Sequence, residues 1–238
     1  MVFAQVEFDV RCEWGEQGLL QLTPTSDVVI IVDVLSFSTS VEIATSRGAL
    51  VFPYRWKDEA RAAAYAASVR AELAGSQRSP SRYSLSPYSL ANLPPGSRLV
   101  LPSPNGATLS LATGQTPTLA GCLRNARAVA RAAQALGRRV AVIPAGERWR
   151  EDGSLRPAFE DWLGAGAILS HLPGSLSPEA RAALAAFREA YRDLPALLRQ
   201  CSSGKELIQR GFEPDVALAA QLDASTGVPR LVDGAYTQ

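Results

Sequence analysis

The sequence predicts a layered α/β fold. The segment VVIIVDV at Val28–Val34 is a short, β-branched and nearly unbroken apolar run; similar runs recur down the chain, and each leads through a polar turn into helical spacing. A strand apolar at every position is buried on both faces, as in a parallel sheet whose crossovers are helices.

In chain order, a helix is expected after the first strand from about Ser38. Thr39-Ser-Val-Glu42 reads as a capping box, Val41, Ala44 and Thr45 share a face, and Gly48 stops the pattern. From Lys57 to Ala74, Ala62, Tyr65, Val69 and Leu73 recur at helical spacing. A Ser- and Pro-rich stretch from Ser76 to Pro95, holding Arg78 and Arg82, reads as a loop. Arg98 to Pro102 is a second core strand, ending in Ser103-Pro-Asn-Gly. Arg124 to Leu136 is helical with Ala126, Val129, Ala133 and Leu136 inward, and Gly137 separates it from a strand over Arg139 to Ile143. The last third reads as mostly helical. Pro157 fits a first helical position before a helix at Phe159 to Leu172, and another runs from about Ala180 to Leu194.

A length of 238 residues suits one domain over 1–238, or two small lobes sharing a core. Lys plus Arg number 24 against 23 for Asp plus Glu, so the net charge of +1 gives no reason to expect nucleic acid or an anionic membrane as partner. Three cysteines, Cys12, Cys122 and Cys201, are too few and too scattered for a disulfide framework, which fits a reducing cytoplasm. No apolar stretch approaches the roughly 18 residues of a membrane span, and the N-terminus lacks the basic-then-apolar pattern of an export signal. The apolar C-terminal helices leave room for a homodimer face.

Ligands of open α/β sheets bind beyond the carboxyl ends of the strands, so the residues just past each apolar run are the candidates. After the first strand stand Asp33, Ser36, Ser38 and Thr39, a carboxylate and hydroxyls at a helix start. A helix start favours phosphate, and the carboxylate suits a hard cation such as Mg²⁺. After the second, Asn105-Gly106 forms a turn able to aim backbone donors into the same crevice. After the apolar run that ends at Gly121-Cys122 come Arg124 and Asn125. After the strand at Arg139 to Ile143 come Glu147 and Arg148, then Arg156 and the pair Glu160-Asp161. The carboxylates offer metal ligands or a general base, and the arginines fork onto phosphate or sulfonate oxygens. Each of these residues also has a structural reading, as a helix cap, a turn or a solvated charge.

Gly164-Ala-Gly166 lies inside a helical pattern rather than after a strand, which makes it a packing feature, not a dinucleotide loop. With His171 as the sole histidine, neither a histidine-rich metal site nor a Ser-His-Asp triad is expected. Cys122, at a strand end, reads as a small buried residue before it reads as a nucleophile.

The stretches VVIIVDVLSFSTSVEIATSRGA, LSPYSL, RLVLPSPNGATLS, GCLRNARAVA, IPAGERW, LRPAFEDWLGAGAIL, SGKELIQRGFEPDVALAAQLD and VPRL, in this order, resemble the 2-phosphosulfolactate phosphatase family over nearly the whole chain. The resemblance implies a three-layer α/β/α fold with a mixed, largely parallel sheet. It also implies Mg²⁺-dependent hydrolysis of a small anionic phosphate ester, 2-phosphosulfolactate or a related phospho-hydroxy acid, in the coenzyme M pathway. By matching position, Asp33 looks like the acidic residue of the family's Asp-x-Leu-Arg motif, Asn105-Gly106 its Asn-Gly turn, and Glu160-Asp161 its acidic pair.

On this reading Asp33, Glu147 and Asp161 are catalytic candidates, and Asp33, Glu160 and Asp161 are metal candidates. The candidates for holding the phosphate ester are Ser36, Ser38, Thr39, Asn105, Gly106, Asn125, Arg148 and Arg156, and the Ser76–Pro95 loop is expected to line the site. Two departures stand out. Ser36 occupies a position where the family carries Arg, and Gln77 one where it often carries Glu. Arg148 or Arg156 is the expected replacement for the lost cation. The alternative to an enzyme is a non-catalytic paralogue that keeps the crevice to bind a small anion, or an empty cleft.

Overall fold

The computed structural model describes residues 2–55, 58–79 and 82–238. A short strand β1 (Val10–Cys12) and helix α1 (Gly15–Leu22) precede the VVIIV run, which forms β2 (Val28–Val32) with every residue buried. Then follow α2 (Phe37–Ser46), β3 (Leu50–Tyr54), α3 (Glu59–Ser68), β4 (Glu72–Leu73), α4 (Pro87–Leu90) and β5 (Arg98–Pro102). They lead to α5 (Gly106–Ser110), β6 (Thr118–Gly121), α6 (Ala126–Leu136) and β7 (Val140–Pro144). A small hairpin, β8 (Glu147–Arg148) and β9 (Leu155–Arg156), leads into α7 (Phe159–Leu169), α8 (Pro178–Ala190), α9 (Leu194–Gln200), α10 (Ser202–Gln209) and α11 (Glu213–Ala219). The chain closes with β10 (Arg230–Val232) and β11 (Ala235–Thr237).

Nine strands form one sheet in the order β1-β7-β2-β6-β10-β11-β3-β5-β4. The first four are mutually parallel, as are the last three. The β10–β11 hairpin joins the two blocks by antiparallel pairing, through Arg230 opposite Leu119 and Tyr236 opposite Val51. The sheet is therefore mixed and largely parallel. In β2, Val28, Ile30 and Val32 pack among α6, α7 and α8, while Val29 and Ile31 face Leu19 and Leu22 of α1 and Leu109 of α5. Helices thus cover both faces, giving three layers. Each such fully buried Val or Ile stabilises the fold by roughly 1.5–3 kcal/mol relative to exposure.

Where the structure departs from the sequence reading, local hydrogen bonding explains it. Helix α2 starts at Phe37, not Ser38, because the Asp33 carboxylate accepts the Phe37 N–H at 3.0 Å. The expected capping box does not form: the Thr39 hydroxyl donates to the Val34 carbonyl, and Glu42 pairs with Arg124 at 2.7 Å. The helix expected from Lys57 to Ala74 is α3 alone, capped by Asp58, whose carboxylate accepts the Arg61 N–H. It stops at Ser68, Arg70 takes a φ of 51°, and Leu73 lies on edge strand β4. Lys57 and two positions of the Ser76–Pro95 stretch, 80 and 81, lie outside the described residues.

Pro157 precedes α7 rather than opening it, and that helix ends at Leu169, not Leu172. Its Gly166 is the packing glycine expected. A Cβ there would sit 2.2 Å from the Ala183 carbonyl of α8, so only hydrogen lets the two helices approach this closely. Pro178 occupies the first turn of α8 behind its Ser177 cap, and the helix ends at Ala190, short of the expected Leu194. The C-terminal third also holds the β10–β11 hairpin, which the helical reading passed over.

Candidate active site

Asp33 leaves the carboxyl end of β2 and is 6% exposed. One carboxylate oxygen accepts the Phe37 N–H at 3.0 Å and the other the Gly106 N–H at 2.9 Å, tying α2 and α5 to one side chain. Gly106 is required here. An added Cβ would meet the Phe37 ring at 2.4 Å and Asp33 Oδ2 at 2.8 Å. Asp161, on the first turn of α7, works the same way: its oxygens accept the N–H of Val34 at 2.7 Å and of Gly146 at 2.9 Å, clamping the ends of β2 and β7 together.

Four carboxylates converge at these strand ends. Burial raises the pKa of Asp33, and the nearby Glu160 charge adds to this against the two backbone donors. Burial raises Asp161 well above the usual carboxylate range, with the charges of Asp33 and Glu160 contributing. Glu147, whose Oε2 accepts from the Asn105 side-chain amide at 2.9 Å, is pushed up to about 7 by burial and then by the Asp33 charge. Glu160 is 2% exposed and lies beside the Cys201 thiol, which donates to the Leu198 carbonyl at 3.1 Å.

Beside this cluster opens a cleft of 760 Å³ into which five arginines face: Arg78, Arg148, Arg150, Arg156 and Arg210. Glu206 neutralises Arg150 and Arg210, at 3.1 and 3.6 Å. Arg148 donates to the Gly153 carbonyl and Arg156 to the Ser203 hydroxyl, with the Arg156 guanidinium 5.8 Å from the Trp149 ring centroid. Among the described residues neither of these two has a carboxylate at ion-pair distance. A smaller cavity of 190 Å³ adjoins Glu147 on the side of Trp14, Asn105 and Arg148.

The structure brings together Asp33, Asn105, Gly106, Glu147, Glu160 and Asp161, with Arg148 and Arg156 at the rim. It does not bring in the rest of the expected set. The Ser38 hydroxyl accepts the Asp33 N–H and donates to the Ile31 carbonyl, and the Thr39 hydroxyl is held by Val34. Asn125 uses its whole amide on Cys122, Ala120 and Gly227, so it caps a turn and pins the C-terminal segment instead of meeting a ligand. The Cys122 thiol is buried and pushed up to about 12, first by desolvation, which leaves no thiolate for attack at neutral pH.

The cation at Ser36 is a correction as well. Neither Arg148 nor Arg156 reaches it; Arg78 does, donating from Nη2 to the Ser36 hydroxyl at 2.8 Å. Arg78, with Ser76 and Leu85, brings the Ser76–Pro95 loop to the cleft wall as expected. Arg78 stands at the Arg of the Gly-Gly-Glu-Arg stretch that the family often carries, the one sequence signal for it; its carboxylate partner, Asp215, lies 137 residues away on α11 and gave none.

These features define a class: a layered α/β protein with an arginine-lined cleft beside buried carboxylates at the strand ends. A family model described as 2-phosphosulpholactate phosphatase matches residues 17–234. The chain is 31% identical over 209 residues to the 2-phosphosulfolactate phosphatase of Methanothermobacter thermautotrophicus, covering 88% of each chain. It is 30% identical over 214 residues to a probable 2-phosphosulfolactate phosphatase of Gloeobacter violaceus, covering 87% of this chain and 89% of that one. A probable 2-phosphosulfolactate phosphatase of Thermus thermophilus is 32% identical over 217 residues, covering 86% and 88%. The chain belongs to the 2-phosphosulfolactate phosphatase family.

No helix among the described residues is long and apolar enough to cross a membrane.

Proposed function

We propose that this protein hydrolyses a small, multiply anionic phosphate monoester, 2-phosphosulfolactate or a related phospho-hydroxy acid, with the help of Mg²⁺. The observation that carries the reading is the meeting of a buried carboxylate cluster with an arginine-lined cleft of 760 Å³. Arginines suit an ester that carries several anionic groups, because each guanidinium forks onto paired oxygens. Family membership and the names of the relatives point to the same substrate.

The donor set fits Mg²⁺. Asp33, Glu160 and Asp161 offer hard oxygen ligands, and their crowded negative charge calls for a cation. Among the described residues no three acidic, His or Cys side chains form a ready-made cage, and Mg²⁺ needs none, since it keeps several waters and takes one or two carboxylates. Glu160 and Asp33 would hold it, and bound there it would offset charge on the transferring phosphoryl group.

The remaining work falls to side chains. Asp33 has both oxygens committed to backbone N–H groups, which fixes it as a charge and weakens it as a nucleophile. The attack is therefore assigned to water. Glu147 borders the cleft with a pKa of about 7, the range for an acid-base group at neutral pH, and takes one proton of the attacking water as the P–O ester bond breaks; the leaving alkoxide is protonated by solvent, and Glu147 returns its proton to solvent. Arg148 and Arg156 hold the far anionic groups of the ester. Cys12, Cys122 and Cys201, all buried and unpaired, suit a reducing cytoplasm.

The test is phosphate release by purified protein from a panel of small phosphomonoesters, 2-phosphosulfolactate and phospholactate included, with and without Mg²⁺ and with Asp33→Ala as control. Release that requires Mg²⁺ and disappears in the variant is expected. Binding of these esters with no release from any of them would overturn the enzymatic reading in favour of an anion-binding paralogue.

A further inference from the structure

Arg78 is held on three sides. Nη1 donates to Asp215 Oδ2 at 2.9 Å and to the Leu85 carbonyl at 2.8 Å, and Nη2 donates to the Ser36 hydroxyl at 2.8 Å. Asp215 is itself immobilised: Oδ1 accepts from the Ser86 hydroxyl at 2.6 Å and from the Tyr88 N–H at 3.1 Å. The side chains of the pair are 10% and 1% exposed, so both charges are largely removed from water.

Burying such a pair brings little or no net stability, since desolvation offsets the attraction and a well-packed apolar pair often does as well. The pairing ties the loop to α11, but it uses only part of the guanidinium. Three of five N–H groups are bonded, and Nε–H and one Nη2–H have no partner among the described residues. An Nε–H and an Nη2–H of one guanidinium can together donate to two oxygens of one anion. Arg78 lines the 760 Å³ cleft, and its charge acts on Asp33, drawing that carboxylate's pKa down against burial.

We propose that Arg78 is the residue that grips the phosphoryl group, and that Asp215 is its positioning residue, acting from α11 through the guanidinium. This rests on the phosphate-ester reading of the cleft and assigns the grip to one of its five arginines. It follows that the C-terminal helices and the turn at 84–88, both fastened to Asp215, set the position of a substrate-binding group at the strand ends.

The experiment is calorimetric titration of inorganic phosphate into the full chain, paired with kinetics on p-nitrophenyl phosphate. The variants are Ser36→Ala, Arg78→Lys and the double variant Arg78→Gln/Asp215→Asn. The double variant leaves no unpaired buried charge, so the fold survives where either single change strands an ion. Loss of a charge-assisted fork is expected to weaken phosphate binding roughly 30-fold in the double variant. Ser36→Ala is expected to raise KM and the phosphate Kd about threefold with kcat held, because it loosens the guanidinium without removing it. Arg78→Lys is expected to recover part of the binding but not the fork. A double variant that melts cooperatively and binds phosphate within about twofold of the parent would refute the assignment, as would a parent protein that binds no phosphate. Phosphate binding lost on cue in a protein that releases phosphate from no ester would leave the grip standing and bring down only the enzymatic reading.

Discussion

Replacing Glu147 by Gln separates the cost of the site from its use. In the fold Glu147 titrates near 7, raised by burial and then by Asp33, against 4.5 for the ordinary side chain. At about 1.4 kcal/mol for each tenfold change in proton affinity, that difference makes the ionised form about 3 kcal/mol costlier to keep folded. The carboxylate opens onto the cleft, where water screens it, so about 1–2 kcal/mol is the realistic figure. The sign follows from a raised folded pKa. The group contributes no penalty below pH 4.5, a growing one as pH rises from 4.5 to 7, and a constant one above. Gln cannot ionise and still offers an oxygen to the Asn105 amide. Urea unfolding followed by Trp fluorescence, without divalent cations, is therefore expected to find Glu147→Gln and the parent equal near pH 4.5, and the variant about 1–2 kcal/mol more stable at pH 8. The same change is expected to lower kcat roughly 10²–10³-fold by removing the acid-base group. Equal stabilities at every pH would show that Glu147 carries no electrostatic load in the fold and would remove the physical basis for its acid-base role.

Three further outcomes are expected. Gly106→Ala drives a Cβ into the Phe37 ring and Asp33 Oδ2; thermal melting should report a loss of about 1–3 kcal/mol, and activity should fall with it, since the strand-end carboxylate must shift. Asp161→Ala strands the buried N–H groups of Val34 and Gly146 and should cost about 2–4 kcal/mol in urea unfolding, an unchanged midpoint being the contrary result. If Arg156 holds the far anionic group as proposed, Arg156→Ala should raise KM roughly tenfold for an ester with a second anionic group while leaving p-nitrophenyl phosphate within about twofold; equal losses on both would place it elsewhere.

What the sequence disclosed followed from burial and chain direction. A strand apolar at every position, such as β2, has to lie inside a parallel block, and the polar residues just past such strands then meet at one edge of the sheet, which is how the meeting of Asp33 with the Asn105-Gly106 turn was legible. What it concealed was of two kinds. Ser38, Thr39 and Asn125 were read as ligand contacts because short polar side chains at a helix start suit either a ligand or the local backbone, and the backbone took them. The pairing of Arg78 with Asp215 was concealed because no local pattern signals a pair 137 residues apart. The β10–β11 hairpin escaped because its strands have three residues each, and β10 has no buried residue to give an alternating signal.

The division of labour among the carboxylates follows from who holds them. Asp33 and Asp161 each accept two backbone N–H groups from separate segments, so neither can move without loosening a helix start or a strand end. Groups so fixed serve as rigid anchors of the strand ends. Glu147 is held only by a side-chain amide and lies on a two-residue strand of a surface hairpin, which leaves it free to exchange a proton and to follow the substrate. Glu160 accepts no backbone N–H among the described residues, and the neighbouring Cys201 thiol donates to the Leu198 carbonyl instead. It is thus the buried acid with the most coordination capacity left, next to a carboxylate whose pKa its own charge raises. A cation bound there would relieve Asp33, Glu147 and Asp161 together. Adding Mg²⁺ should therefore shrink the stability gap between Glu147→Gln and the parent at pH 8, which ties the metal to the acid-base group by a measurement that needs no substrate.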